Sequence, residues 1–337
     1  MKNPVLLPVT YYLIFTICYL FPFLSSCRTP GQIYISPVSM ERERVPERIP
    51  FDRYSPSWLP FAEDEFHGLY FTSARLSDPD LEIWAIKADL ANPSVKIEVS
   101  IPIDNSGERG IFQSIRVSSF VRDSGLFAGI NTVPFSFVPQ TEGEKMYSVG
   151  VVISNGVLYS PPVLIYDALI FYNRNFQTGG RRAAILSQRE IGKDGSVELH
   201  EIENAVGGFR IILELGALPE RLVLAAADTE RPPPSRHPRS AAGLCREGRF
   251  LYLLVVDGRR QASIGATEME LAWILWRMGA YEGLNFDGGG STALALRYPD
   301  GRVRVVNTPV NGGIPGWERP VAASLGLGLA ENGQISR

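Results

Sequence analysis

The sequence predicts an α+β fold: one large domain of mixed β-sheets with a few helices. Three observations lead there. Short apolar or alternating runs recur along most of the chain, only one segment carries a strong helical repeat with both caps, and strands and helices do not alternate regularly. From the N-terminal side, Tyr70 to Arg75 alternates. Leu81 to Leu90 and Val95 to Val99 do the same around Asn92-Pro93, which predicts a hairpin between them. Phe112 to Asp123 has helical spacing and stops at Gly125, and Phe127 to Ile130 is a short apolar strand. Val149 to Ser154 and Val157 to Tyr159 flank Asn155-Gly156, the dipeptide best suited to a tight hairpin turn. Ala183 to Leu186, Ser196 to Glu201 and Phe209 to Leu213 read as further strands, and Thr229 to Arg239, with Pro232-Pro233-Pro234, reads as an exposed loop. Leu251 to Val256 is a continuous apolar strand. Thr267 to Met278 is the clearest helix, opened by a Thr267–Glu270 capping box and closed by Gly279. Gly283 to Phe286, Thr292 to Arg297, Val303 to Val306 and Leu325 to Leu329 complete the strands.

The 337 residues carry 33 Lys and Arg against 36 Asp and Glu, a net charge of −3. That balance argues against a nucleic-acid partner, which needs a basic face to displace counterions. The three histidines, His67, His200 and His237, are far apart, so HExxH zinc chemistry is excluded and a Ser-His-Asp triad is disfavoured. Neither GxxxxGK[ST] nor GxSxG occurs, which removes P-loop NTPases and ordinary α/β-hydrolases.

The first residues read as an export signal. Lys2 precedes an uncharged, mostly apolar stretch from Val5 to Leu24, interrupted by Pro8 and Pro22. Leu24-Ser25-Ser26-Cys27 has the form of a bacterial lipobox. Residues 1–27 are therefore expected to be a lipoprotein-type signal peptide, with Cys27 lipidated and the protein held at a membrane of the cell envelope. Residues 28–60, rich in Pro, Ser, Arg and Glu, are expected to form a flexible tether, and 61–337 the folded domain. Loss of Cys18 and acylation of Cys27 would leave Cys245 alone, so no intrachain disulfide is expected.

The sharpest chemical feature is Asn285-Phe286-Asp287-Gly288-Gly289-Gly290-Ser291-Thr292. A strand delivers Asp287 to three glycines, whose missing Cβ atoms let a ligand or another chain approach the backbone. Asp257-Gly258-Arg259 ends a second apolar strand. One helix joins the two strands, and such a connection brings both strand ends to the same edge of a sheet. Two carboxylates and a guanidinium then face one cleft. Arg239, Asn131 and Asn204-Ala205-Val206-Gly207-Gly208 lie in further turns after or before apolar strands. Glu270 is explained by helix capping and is also a third candidate carboxylate.

Taken together, these segments resemble the phosphodiester glycosidase family. The likeness runs through Phe127-Ala128-Gly129-Ile130-Asn131, Val149 to Gly156, Asn204 to Gly208, and Arg239-Ser240-Ala241-Ala242-Gly243. It continues through Val255 to Arg259, Gly265-Ala266-Thr267 with Glu270, Leu284 to Thr292, and Glu318-Arg319-Pro320-Val321. The resemblance implies an exported hydrolase that cleaves the glycosidic bond of a sugar-1-phosphodiester in envelope or extracellular polysaccharide. The alternative is a non-catalytic glycan- or phosphoglycan-binding lipoprotein on the same fold. Asp287, Asp257 and Glu270 are the expected catalytic groups. Arg239, Arg259, Asn131, Asn204, Gly207, Gly208, Thr267, Asn285, Gly288, Gly289, Gly290 and Ser291 are the expected substrate contacts. Clustered Asp beside a phosphate invites Mg²⁺ or Ca²⁺, but no ligand string accompanies it, so no metal or cofactor is expected. Thr132-Val133-Pro134, Ser240 and Phe209-Arg210 depart from the family pattern and bear on substrate choice rather than reaction type.

Overall fold

The computed structural model describes residues 54–60, 68–101, 108–176, 181–192, 195–228 and 232–329. The expected signal peptide, Cys27 and the first part of the expected tether lie outside the described residues. Among the described residues, no helix is long and apolar enough to cross a membrane.

Seven strands of one sheet position the site: β1 (Leu59–Pro60), β2 (Leu69–Ser77), β3 (Asp80–Asp89), β4 (Arg210–Leu213), β5 (Arg239–Leu244), β6 (Phe250–Val256) and β7 (Glu282–Asn285). Their spatial order is β1-β2-β3-β6-β5-β7-β4. Strand β5 runs antiparallel to both β6 and β7, with Arg239 opposite Val256 and Ala241 opposite Asn285. The expected strand–helix–strand unit is therefore present, with β5 inserted between its parallel strands. The ends carrying Asp257 and Asp287 share one edge with the start of β5.

The apolar run of β6 is continuous because both faces of the sheet are covered. Leu253 and Val255 pack inward with Ile86, Phe286, Ile130 and Leu327. Leu254 and Val256 pack the other way, against Ile83, Leu271 and Leu275. Among the described residues, α1 (Val117–Asp123) covers a different sheet, and α2 (Glu220–Ala227) and α3 (Glu268–Met278) build the outer layer on this one. Helix α3 has its expected caps: Thr267 accepts from the Glu270 N–H, Glu270 accepts from the Thr267 N–H, and Gly279 closes it at φ 104°. Its buried Leu271, Ile274 and Leu275 each contribute about 1.5–3 kcal/mol of hydrophobic burial.

Two five-stranded sheets complete the inner layer. One holds Val303–Val305, Leu294–Arg297, Ala128–Asn131, Ser324–Leu329 and Val95–Val99. The other holds Ala183–Ser187, Asp167–Tyr172, Ile202–Gly207, Val152–Ser154 and Val157–Ser160. The Asn155-Gly156 hairpin is present, both turn residues having positive φ.

Four local expectations are corrected. Asp80–Asp89 and Val95–Val99 are not a hairpin: β3 pairs with β2 and β6, while Val95–Val99 crosses to pair with Ser324–Leu329. Phe112 lies in the middle of a strand, Ile111–Gln113, and the helix starts only at Val117. Ser196 to Glu201 is a turn ending in a 3-10 helix, and the strand begins at Ile202. Tyr54 to Pro60 does not belong to a tether: Tyr54 is buried in the helix-side core, Trp58 packs on Tyr252, and β1 pairs with β2.

Candidate active site

Asp287 sits where two sheets meet. Its N–H donates to the Thr132 carbonyl at 2.8 Å, and its carbonyl accepts from Asn131 Nδ2 at 2.7 Å. Both partners end the neighbouring strand Ala128–Asn131 or follow it. Asp287 keeps some solvent exposure although protein surrounds its carboxyl on nearly every side. Burial dominates its titration and pushes the carboxyl up to about 6, against the opposing pull of the Ser291 hydroxyl, the Arg319 charge and the Gly288 N–H.

The glycines beside it serve two guanidinium groups. A Cβ on Gly289 would lie 2.9 Å from Arg259 Nη2, and one on Gly290 would lie 2.3 Å from Arg319 Nη2. Gly289 also needs its positive φ of 62°. Any side chain here would push the arginines off the turn. Arg259 is exposed, adopts a left-handed φ of 59° that a non-glycine residue pays for, and donates to the Val310 carbonyl at 3.4 Å. Arg319 is half-buried and fixed by Asn311 Oδ1 at 2.9 Å and Ser291 Oγ at 3.3 Å. Its neighbour Glu318 accepts from the Ser118 N–H and hydroxyl at the start of α1, which anchors this segment.

Arg239 is half-buried at the start of β5, next to Gly288, and donates Nε to the Ala266 carbonyl at 3.0 Å. It lines a cavity of 290 Å³ with Arg221, His237, Glu268, Leu222 and Met269. That mixture of charged groups and apolar faces suits a sugar, which offers both hydroxyls and C–H surface. Burial, Arg239 and Arg259 hold the His237 imidazole below its ordinary range, so it is neutral at pH 7.

Asp257 stands at the same edge in a different condition. It is fully buried, and Arg260 Nη2 at 2.7 Å, Asn307 Nδ2 at 3.0 Å and the Thr308 N–H at 2.9 Å all donate to it. Arg260 continues to Glu82, which also pairs with Arg75. Burial raises the Asp257 carboxyl against the pull of these donors. This geometry contradicts the expectation that Asp257 reacts with substrate: its oxygens are committed and sealed, and it ties the end of β6 to the segment 307–308.

Other expected contacts also prove to be internal. Glu270 is buried, its oxygens taken by Arg236, the Thr267 N–H and the Thr267 hydroxyl, so it is a helix cap rather than a catalytic acid, and Thr267 is its reciprocal. Asn131 is fully buried and fixes Asp287, Ser240 and the Ala293 N–H. Ser291 is buried between Asp287 and Arg319. Asn285 is buried, donates to Glu268 at 3.3 Å, and has no partner for Oδ1 among the described residues. Asn204 holds the Asn155 N–H and the Ile97 carbonyl, at the other end of its strand from the site. Gly207 and Gly208 are buried where the chain crosses from one sheet to β4, packed on Gly150 and the Asn285 carbonyl. Of the expected set, Asp287, Gly288, Gly289, Arg239 and Arg259 keep exposed surface at this edge, with Gly290 buried beneath Arg319. Arg319 and the pair Asn307 and Thr308 were not expected. Among the described residues, no group of three or more His, Cys, Asp and Glu side chains is arranged to hold a metal.

Comparison with known proteins gives the family and the fold. The family model for phosphodiester glycosidases matches residues 124–328, a span that contains Asn131, Arg239, Asp257, Asp287 and Arg319. No curated protein sequence matches the chain. Among solved structures, the catalytic domain of zebrafish N-acetylglucosamine-1-phosphodiester alpha-N-acetylglucosaminidase, auto-inhibited by its pro-peptide, is similar at a TM-score of 0.55 and 16% identity. The match covers 82% of this chain and 88% of that domain. A Burkholderia pseudomallei K96243 protein is similar at a TM-score of 0.52 and 13% identity, covering 80% of this chain and 76% of that one. A Synechocystis protein is similar at 0.50 and 14%, covering 83% of this chain, which spans 64% of that one. These structural likenesses carry the fold. The sequence match covers most of the folded residues and brackets the Asp287 turn with both of its arginines, and on that ground the chain belongs to the phosphodiester glycosidase family.

Proposed function

We propose that the protein is an exported hydrolase that cleaves the glycosidic bond of a sugar-1-phosphodiester in envelope or extracellular polysaccharide. The observation that carries this reading is the pairing of one accessible, enclosed carboxylate, Asp287, with two guanidinium groups laid against the adjoining glycine turn. The zebrafish enzyme's name describes the same class of bond, and that likeness adds support.

The chemistry follows from charge. When the C1–O bond breaks, the phosphate leaves as a monoester whose second ionisation lies near 6, so it needs little proton donation. The protein must instead hold the phosphate and support an oxocarbenium-like carbon. Arg259 and Arg319 suit the first task because guanidinium binds phosphate in a two-pronged fashion. Asp287, ionised above pH 6, suits the second, facing the sugar carbon as nucleophile or as base to a water. Arg239 and the adjoining cavity receive the sugar. Asp257 and Glu270, sealed by their own partners, act by positioning and capping. The Leu24–Cys27 motif supports export and attachment to an envelope membrane through lipidated Cys27.

The test is hydrolysis of a panel of methyl sugar-1-phosphate diesters by the full chain. Release of free sugar, lost in Asp287→Ala while binding persists, is the expected result. Binding of the diesters by the native protein with no turnover across the panel would establish a glycan-binding lipoprotein instead.

A further inference from the structure

A second recess, with three arginines in its wall, lies at the other edge of the seven-stranded sheet. A cavity of 490 Å³ is lined by Leu90, Pro93, Arg174, Arg182, Glu247 and Arg249. Leu90 follows the end of β3 and Arg249 precedes the start of β6. The six residue steps of β6 from Phe250 to Val256 put this edge about 20 Å from the edge that carries Asp257 and Asp287. A smaller annex of 90 Å³ shares the wall formed by Arg174 and Arg182 and adds Lys96 and Glu203.

Glu247 lines the recess and Glu203 its annex, yet among the described residues neither forms an ion pair with Arg174 or Arg182. Arg249 is spoken for: it grips Asp89 through Nε and Nη2 at 2.7–3.2 Å. Arg182 is half-buried and donates Nη1 to the Leu90 carbonyl at 2.8 Å, which uses one of its five N–H groups. Among the described residues, no carboxylate forms an ion pair with Arg182 or with Arg174, which is exposed beside the cavity. Burial pulls the Arg182 guanidinium down and Arg174 pushes it the same way, with Glu203 opposing. Two like charges sharing one wall cost free energy until an anion sits between them.

We propose that this recess is a second, non-catalytic site that grips a phosphodiester group of the same polymer, remote from the bond being cut. The proposal rests on the reading of the substrate as a phosphate-bearing glycan. A single sugar phosphate cannot touch both edges, whereas a chain several units long spans the distance. Gripping a chain at two points raises its effective affinity without any new contact at the reacting centre. The recess has the volume of an ordinary ligand site, room for one phosphorylated unit.

The experiment measures binding in the Asp287→Ala protein, so its outcome does not depend on turnover. The probes are a fluorescently labelled poly(glycerol phosphate) chain and inorganic phosphate, followed by anisotropy at low salt and at 0.15 M salt. Arg174→Glu, at an exposed position that leaves folding intact, is expected to weaken chain binding at least tenfold. Arg182→Lys, which keeps the charge and loses the fork, is expected to weaken it several-fold, and inorganic phosphate is expected to compete only at millimolar concentration. Chain binding equal to the Asp287→Ala parent in both variants overturns the proposal. So does saturable binding of inorganic phosphate with no binding of the chain, which would make the recess a site for the free ion. If the native enzyme hydrolyses no diester but Arg174→Glu still weakens chain binding, the recess stands as an anion site and the catalytic reading alone falls.

Discussion

Asp257 and Asp287 close two parallel strands of one sheet, at one edge, with β5 between them, yet they occupy opposite chemical states. Asp257 has no exposed surface and three donors around its carboxylate. Asp287 is only partly covered, with a serine hydroxyl, one N–H and a guanidinium nearby and its carboxyl pushed up to about 6. The contrast teaches that an acid at a strand end becomes a working group only where its partners leave it incomplete. At Asp257, Arg260 and the 307–308 segment finish the job. At Asp287, the glycine turn admits two arginines, and Asp287, Gly288, Gly289 and Arg259 all keep exposed surface.

The largest expected effect comes from breaking the open member of the pair. Asp287→Asn keeps the size and removes the charge, and the turnover number for a methyl sugar-1-phosphate diester is expected to fall about 10³-fold or more, equivalent to ~4 kcal/mol of transition-state stabilisation. Breaking the closed member acts on the fold instead. Asp257→Ala takes one acceptor from Arg260, which keeps Glu82, and from Asn307, which keeps the Thr292 carbonyl, and leaves the Thr308 N–H without its acceptor, so it is expected to cost about 1–3 kcal/mol in urea unfolding. Loss of turnover with unchanged stability in that variant would mean the two roles have been exchanged. Arg319→Ala is expected to lower kcat/KM about 10²-fold, because it removes a phosphate donor and a support of Ser291.

A further effect sharpens the comparison through pH. The folded Asp287 carboxyl titrates near 6, above its ordinary 3.8, so between those values the native state holds a proton that the unfolded chain has released. Stability contributed by this group therefore falls as pH rises from about 4 to 6 and stays low above. Asp287→Asn is expected to remove that slope and to raise stability at pH 7 by about 3 kcal/mol, seen as a higher urea midpoint at pH 7 than in the native protein and no gain at pH 3. The smallest effect belongs to Glu270→Ala, expected to cost about 1 kcal/mol of stability through the lost cap of α3. A loss of turnover beyond tenfold in this variant, with α3 intact by circular dichroism, would restore Glu270 as a catalytic group.

Much of the 250–290 region was legible from sequence because its signals are local. A continuous apolar run, a capping box, a glycine stop and an Asp-Gly turn follow one another within forty residues, and parallel strands joined by a helix must end at the same edge. The α+β class was legible for a similar reason. What stayed hidden depends on partners far away in the chain. Nothing next to Asp257 shows that Asn307 and Thr308 will cover it, since those contacts span about 50 residues. Arg319 lies 28 residues from Ser291 and looks like any loop arginine, although its place in the Glu318-Arg319-Pro320-Val321 segment could have singled it out. Asn131 and Asn204 read alike after apolar strands, yet one supports Asp287 and the other ties down a hairpin. Asn92-Pro93 marks a change of direction correctly but not its destination, because a turn residue does not say which sheet the next strand joins.

The most direct measurement of the central claim is the pH dependence of kcat/KM for a methyl sugar-1-phosphate diester between pH 4 and 8. If the Asp287 carboxylate supports the sugar carbon, the rate climbs tenfold per unit at low pH, bends near 6 and then levels off. A profile flat across that range, from an enzyme that does turn over, would contradict the account.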